Sequence, residues 1–336
     1  MKVCFYSAVP SKNLFTTVGF YRDDIVALGM RGDAVTATNS LWALVQLRPK
    51  LVVGYFYSKS ALAALLGRLV GAKIILTGGA DQISPVLHSG FSLLIRQVSA
   101  VACVLLSNRI LLSCADDVEN FRSLCFGCKR FERKLELVAH AVVVPPLSSE
   151  SRLPINGRFE ALTLCWMGSE SNVWRKGLDR AIDLIAALRK LGVRASLDIA
   201  GADGPGVQLV MDLAKKSGVE NEIRYLGMIS EAEKNEKFAS ASVYIQLSRH
   251  EGFGVAAAEA FFSGMIVVHS DKGGLHDVIG SDALILDPEA FKKGGSDWVQ
   301  DFYDRYLLYK VDKNVLLVGL QKYSIETRSA AFLRKS

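Results

Sequence analysis

The chain has little of what marks several whole classes of protein. Six cysteines in 336 residues, at positions 4, 103, 114, 125, 128 and 165, are too few and too scattered for a disulfide framework. A reducing, cytoplasmic setting is the expectation. Cys125 and Cys128 form one lone Cys-x-x-C without a second pair of ligands, so neither a zinc site nor a redox centre is expected there. Short-period repeats and low-complexity tracts are absent, and half the residues are hydrophobic against 22% charged. That excludes a collagen, a disordered chain and a small disulfide scaffold. The start, Met1-Lys2-Val3-Cys4-Phe5-Tyr6, runs straight into an apolar strand with no signal-like core or cleavage site, so export is not expected. The longest apolar stretch, Phe91 to Leu112, is interrupted by Arg96, Gln97, Asn108 and Arg109 and does not read as a membrane span.

Charge is present but unevenly placed. Residues 1–145 hold 16 Lys/Arg against 9 Asp/Glu, whereas residues 146–336 hold 24 against 25, so the whole basic excess lies in the first half. The cations are dispersed and no RNP or zinc-finger signature accompanies them, so no nucleic acid is expected as a partner. An anionic membrane surface is the other explanation, because the same half is rich in apolar segments. The stretches Ser60–Val70 and Phe91–Leu112, with Lys59, Arg68, Lys73, Arg96 and Arg109, read as core helices for most of their apolar residues or as a membrane-facing patch. The expected location is cytoplasmic, at the inner face of the membrane if that patch meets lipid.

Along the chain, short β-rich runs alternate with longer helical ones. Strands are predicted at Val3–Ser7, Ala34–Thr38, Leu51–Tyr55, Ile74–Leu76, Ile110–Leu112 and Leu137–Val144. A second series follows at Leu162–Met167, Ser196–Ala200, Glu222–Leu226, Val243–Leu247, Ile266–His269 and Ala283–Leu286. Helices fill the gaps, among them Tyr21–Arg31, Gly177–Leu191, Val207–Ser217 and Val255–Ser263. Strands separated by helices of this length make right-handed βαβ units and parallel sheets. Length and pattern together predict two doubly wound α/β domains, at residues 1–145 and 159–320. Pro145-Pro146 and the serines 148, 149 and 151 mark residues 146–158 as the linker. Residues 321–336 follow the second series as a last amphipathic helix, expected to pack back on the first domain. Two such domains facing each other would hold a ligand in a cleft at the carboxyl ends of both sheets.

The strongest chemical signal is Ser248-Arg249-His250-Glu251-Gly252-Phe253-Gly254, followed by Val255 to Ala258 and Glu259. Glu251 sits just past a strand, and Glu259 falls on the helix that opens after Gly254. Glycines at a helix start leave free amides that favour an anion, by about 0.3–1 kcal/mol per charge. Ionised carboxylates accept hydrogen bonds from hydroxyls, so this pairing suits a polyhydroxylated, phosphorylated ligand. Either glutamate alone reads as well as a cap or a surface residue. The buried strand Ile266–His269 is followed by Gly273-Gly274, which opens a second helix and makes a second nest of amides.

The run from Ser248 to Ile279 resembles the signature of the retaining family 4 glycosyltransferases (glycosyl transferases group 1) of the GT-B fold. The likeness is good over roughly residues 160–290 and loose over 1–150. It implies two facing Rossmann-like domains and a nucleotide-sugar donor held mainly by the second. It further implies that Glu251 contacts donor-sugar hydroxyls and Glu259 the ribose. Gly252, Phe253, Gly254 and Val255 would line the diphosphate, with Gly273 and Gly274 near the sugar. Lys176, in Arg175-Lys176-Gly177, matches the family lysine that binds the diphosphate; Gly168 matches the family glycine, but Ser169 stands where relatives carry arginine, and Arg175 is the substitute. His250 and His276 lie within the signature, as donor contacts or as packing. Met228, after Leu226-Gly227, and Gly201 resemble the turns that read the nucleobase. Gly201, Gly204 and Gly206 lack dinucleotide-fingerprint spacing, which argues against a dehydrogenase. In the first half, Gly19 resembles the loop that approaches the donor phosphates. Gly78, Gly79 and Asp81 resemble the acceptor-side loop, where relatives often place a histidine. No Asp-x-Asp occurs, so no metal and no cofactor is expected. The resemblance implies a sugar moved to a carbohydrate or lipid-linked hydroxyl acceptor, in synthesis of a surface polysaccharide, lipopolysaccharide or glycolipid. A nucleotide-binding relative without turnover and a GT-B nucleotide-sugar epimerase are the alternatives.

Overall fold

The structure, a computed structural model, describes residues 1–79, 83–84, 88–145, 153–154, 156–287, 289 and 297–334. Asp81 and the linker residues 146–152 lie outside the described residues. The chain divides into two units, one of Met1–Val143 with Gln321–Ser336 and one of Val144–Leu320.

The first unit is built on β1 (Lys2–Ser7), β2 (Ala34–Thr38), β3 (Leu51–Tyr55), β4 (Lys73–Thr77), β5 (Arg109–Leu112) and β6 (Leu135–Leu137). These make one sheet in the order β2-β1-β3-β4-β5-β6, with every pair parallel. Strand β3 is buried along its whole length, as a central parallel strand covered on both faces must be. The alternation of side chains across a strand then splits the core in two. Cys4, Tyr6, Val52, Ile74 and Leu76 join one cluster, and Val3, Phe5, Val53, Tyr55 and Ile75 the other.

The second unit carries β7 (Arg158–Leu164), β8 (Arg194–Ala200), β9 (Ile223–Gly227), β10 (Val243–Gln246), β11 (Ile266–His269) and β12 (Leu284–Ile285), in the order β12-β11-β10-β7-β8-β9. All its pairs are parallel too. The order reverses between β7 and β10. That is the switch point where the loops after neighbouring strands diverge and leave room for a ligand.

One strand expectation fails. Only Leu135–Leu137 pairs as a strand, and residues 138–144 do not continue it. Their backbone groups are claimed by the returning C-terminal segment: Arg328 donates to the carbonyls of Val138 (2.9 Å) and Ala139 (3.2 Å), and the Val142 amide donates to Tyr323 (2.8 Å). Strand β7 ends at Leu164, short of the expected Met167, although the Cys165 and Met167 amides still donate to Ala200 and Ala202. Among the described residues no helix is long and apolar enough to cross a membrane.

Candidate active site

The second sheet's switch point is where the sequence placed its chemistry. After β7 the chain forms a short helix, Glu170–Lys176, capped at its start by Ser169, whose hydroxyl accepts from the Asn172 amide at 3.3 Å. Ser169 thus has a structural task at the position where the resemblance expected arginine. The helix ends at Gly177 in the left-handed conformation (φ 70°). A Cβ there would lie 1.9 Å from the Leu247 carbonyl. Only glycine lets this helix end press against the end of β10, and that contact delivers Lys176 to Glu251.

Lys176 Nζ donates to Glu251 Oε2 at 2.6 Å. The same oxygen accepts from Ser248 Oγ at 3.1 Å and from Gln246 Nε2 at 3.2 Å. Gln246 also donates to Ser248 at 2.7 Å and is oriented by the buried Tyr244 hydroxyl at 3.1 Å. Burial raises the Tyr244 pKa far above the ordinary phenol range, so that hydroxyl stays protonated and available as a donor. All three donors converge on one oxygen, and no described residue donates to Glu251 Oε1. The carboxylate is buried yet half of its accepting capacity is unused.

The loop around Glu251 is pinned from both sides. Arg175 directs Nε and Nη2 to Asn172 Oδ1, at 3.0 and 2.6 Å, and Nη1 to the His250 carbonyl at 3.4 Å. This geometry makes Arg175 a clamp on the loop. Arg249 grips Asp179 through two hydrogen bonds of 2.8 and 2.7 Å. On the far side Gly273 has φ 56°, and a Cβ would sit 2.0 Å from the Glu251 carbonyl. The Gly274 amide donates to that carbonyl at 3.0 Å. His250 is buried, and His276 is exposed with Nδ1 3.0 Å from Asp271.

Glu259 lies one turn and more along the buried helix Val255–Phe262, which opens at Gly254 in the left-handed conformation (φ 79°). Its partner is Lys234, at 2.9 Å, carried by the helix Glu231–Ser240. Burial pushes the Lys234 ammonium down, but Glu259 and then Glu231 (3.1 Å) outweigh it and hold the pKa above the ordinary lysine value. The two glutamates therefore occupy separate ion pairs, Glu251 at the end of β10 and Glu259 between two helices.

Gly252, Phe253, Gly254 and Val255 form the turn that opens this helix, with Gly252 and Phe253 buried. Gly168 and Gly201 sit in the turns after β7 and β8, and the Gly201 amide donates to Gly227 at 2.9 Å. Met228 follows β9 and is 73% exposed. Trp166, past the end of β7, two strands over from β9, is 61% exposed with its ring laid over Gly168. In the first unit, Gly19 is the first residue of the helix Gly19–Gly29. Gly78 follows β4 with φ 111°, its carbonyl accepting from Tyr57, and Gly79 comes next. Sequence reasoning missed Lys234, Gln246 and Trp166, and gave Ser248 no role of its own although it heads the motif. The Ser230-x-x-Glu233 capping box, which the structure forms with the Glu233 amide 3.2 Å from Ser230 Oγ, was legible and fixes the register of the helix that carries Lys234.

Residues 170–301 match the family model described as glycosyl transferases group 1. The chain is 28% identical over 149 residues to the O-antigen chain mannosyltransferase B of Escherichia coli, a match covering 43% of this chain and 38% of that protein. It is 33% identical over 118 residues to protein CapJ of Staphylococcus aureus, covering 35% of this chain and 30% of CapJ. The matched stretch is thus well under half the length of these relatives. Solved structures resemble it throughout. Sucrose-phosphate synthase from Thermosynechococcus elongatus superposes with a TM-score of 0.71 at 13% identity, covering 99% of this chain and 97% of that one. Anabaena HepE in complex with UDP gives 0.70 at 14% identity, covering 99% and 98%. These likenesses establish the fold, which is GT-B, each unit a Rossmann-like parallel sheet.

Proposed function

We propose that this chain, whose residues 170–301 match the model described as glycosyl transferases group 1, moves a sugar from a nucleoside diphosphate donor to a hydroxyl acceptor with retention of configuration, in the synthesis of a surface polysaccharide or glycolipid. The observation that carries the reading is the Lys176–Glu251 pair at the switch point of the second sheet. Glu251 Oε2 is saturated by three donors, which fixes the carboxylate and leaves Oε1 to accept from a sugar hydroxyl. Lys176 spends one of its three N–H groups on Glu251 and has two for the departing diphosphate. The amides at the start of the Val255–Phe262 helix add partial positive charge to the same task. Glu259, held by Lys234, takes the ribose hydroxyls, and the exposed Trp166 and Met228 give the base an apolar shelf. The relative named as an O-antigen chain mannosyltransferase supports a surface-glycan setting.

Calorimetric titration with UDP, GDP, ADP and dTDP tests the donor site. One of them is expected to bind, and heat from none would overturn the reading. With the matching sugar nucleotide, Lys176→Ala should slow turnover by a few hundred-fold or more, since a donor aimed at developing charge contributes about 3–4 kcal/mol. Unchanged turnover in that variant would remove Lys176 from the chemistry.

A further inference from the structure

The two helices Tyr57–Leu69 and Gly90–Leu106 of the first unit pack against each other on one side of the sheet. Their outer faces are apolar. On the first, Leu62, Leu65 and Leu69 are exposed, at a spacing of one helical face. On the second, Phe91, Leu94, Ile95, Val98 and Leu105 repeat the pattern, with Phe91 76% and Val98 61% exposed. Isolated exposed leucines need no explanation, but a continuous stripe of this size on a monomer marks a surface that meets something. The 30 residues of the two helices contain Lys59, Arg68 and Arg96 and not one Asp or Glu. Lys59 lies one turn before Leu62, Arg96 follows Ile95, and Arg68 reaches across to the Leu106 carbonyl at 2.7 Å. Lys73 and Arg109, which the sequence grouped with this patch, do not belong to its helices: they are the first residues of the parallel strands β4 and β5, and Arg109 is buried against Glu136 at 2.5 Å. Neither helix can cross a bilayer.

From this face we infer that the paired helices dock on an anionic phospholipid surface, lying in the headgroup region. An apolar stripe with only cations around it fits lipid tails below and phosphate groups beside them. A protein partner or a second copy would have to bury three cations with no acid of this face to answer them. The inference depends on the transferase reading only for its corollary, that the acceptor is lipid-linked.

Co-sedimentation of the full chain with vesicles tests it. The protein should pellet with mixed phosphatidylglycerol and phosphatidylcholine vesicles, and about tenfold less with phosphatidylcholine alone or in about 0.5 M salt. The triple variant Phe91→Ser/Leu94→Ser/Val98→Ser should bind the mixed vesicles at least about tenfold more weakly, given three apolar side chains withdrawn from the interface. Its melting temperature should be unchanged, because those side chains face solvent. Lys59→Glu/Arg96→Glu should abolish the preference for anionic lipid. Wild-type binding by the triple variant would overturn the inference. So would a wild-type chain that stays in the supernatant, or a dimer in sedimentation velocity that the triple variant dissolves. Titration with the four nucleoside diphosphates, run in parallel, reads the donor site, so loss of the donor reading and loss of docking are seen separately.

Discussion

Glu251 shows how much of a functional side chain is set by residues that carry no motif. The sequence pointed to it through the glycines after it, and the structure adds Gln246 and Ser248 from the strand end before it. Gln246 was illegible and Ser248 was read only as the start of the motif, because polar residues at a strand end are ordinary and only convergence in space gives them meaning. Lys234 was hidden for a different reason: its partner Glu259 lies 25 residues away, on another helix. His140 is a second buried group without a motif. It sits 3.3 Å from the Tyr55 hydroxyl, and burial, with the Arg328 guanidinium beside it, lowers its pKa to about 4. The folded state therefore keeps it neutral where the unfolded chain, near 6.5, takes up a proton. Stability contributed this way is present above about pH 6.5 and lost as pH falls toward 4, by roughly 3 kcal/mol at most. Urea midpoints measured between pH 7 and 4 should fall accordingly, and His140→Gln should flatten that slope by about one proton.

At the scale of elements the alternation of apolar runs was a sound guide. Ala34–Thr38, Leu51–Tyr55 and Ile266–His269 lie where the sequence put them; the last two are buried along their whole length, and a buried parallel strand bounded by turns has few other readings. The segment 138–144 misled because it is just as apolar but is paired by a distant piece of chain. Helix ends matter more than helix lengths around the site. Gly177 ends one helix against β10, and Gly192 follows the next, Leu178–Lys190. Both have positive φ, 70° and 81°, but a Cβ at Gly192 meets nothing within 4 Å, whereas one at Gly177 meets the Leu247 carbonyl. Gly192→Ala should cost only the left-handed penalty, about 1–2 kcal/mol. Gly177→Ala must also displace backbone, and should cost about 2 kcal/mol more and weaken nucleotide binding by moving Lys176. Paired melting curves and titrations distinguish the two; equal effects would show that the helix end does not position the lysine.

For the molecule as a whole, the doubly wound order of each sheet followed from the βαβ rhythm. The last helix belongs with the first unit, and its amphipathic sequence does not show which residue fastens it there. Arg328 decides the matter: fully buried, it makes two 2.8 Å bonds to Asp24 and a third to Thr77 Oγ1. Breaking a buried ion pair leaves a charge without compensation, so Arg328→Met should cost about 3–5 kcal/mol. Arg328→Met/Asp24→Asn should recover part of it, as read by denaturant unfolding. A single-variant loss under about 1 kcal/mol would show that the pair is not what fastens the helix.

Asp24 and Arg328 are 304 positions apart, which gives vectorial synthesis a direction of its own here. At about 5–20 residues per second, the ribosome takes tens of seconds between making the acid and making the base that neutralises it. The half of the protein born first is therefore the half finished last, its aspartate waiting for the final helix, and a nascent chain stalled before residue 321 would leave that side chain open to water and to chaperones.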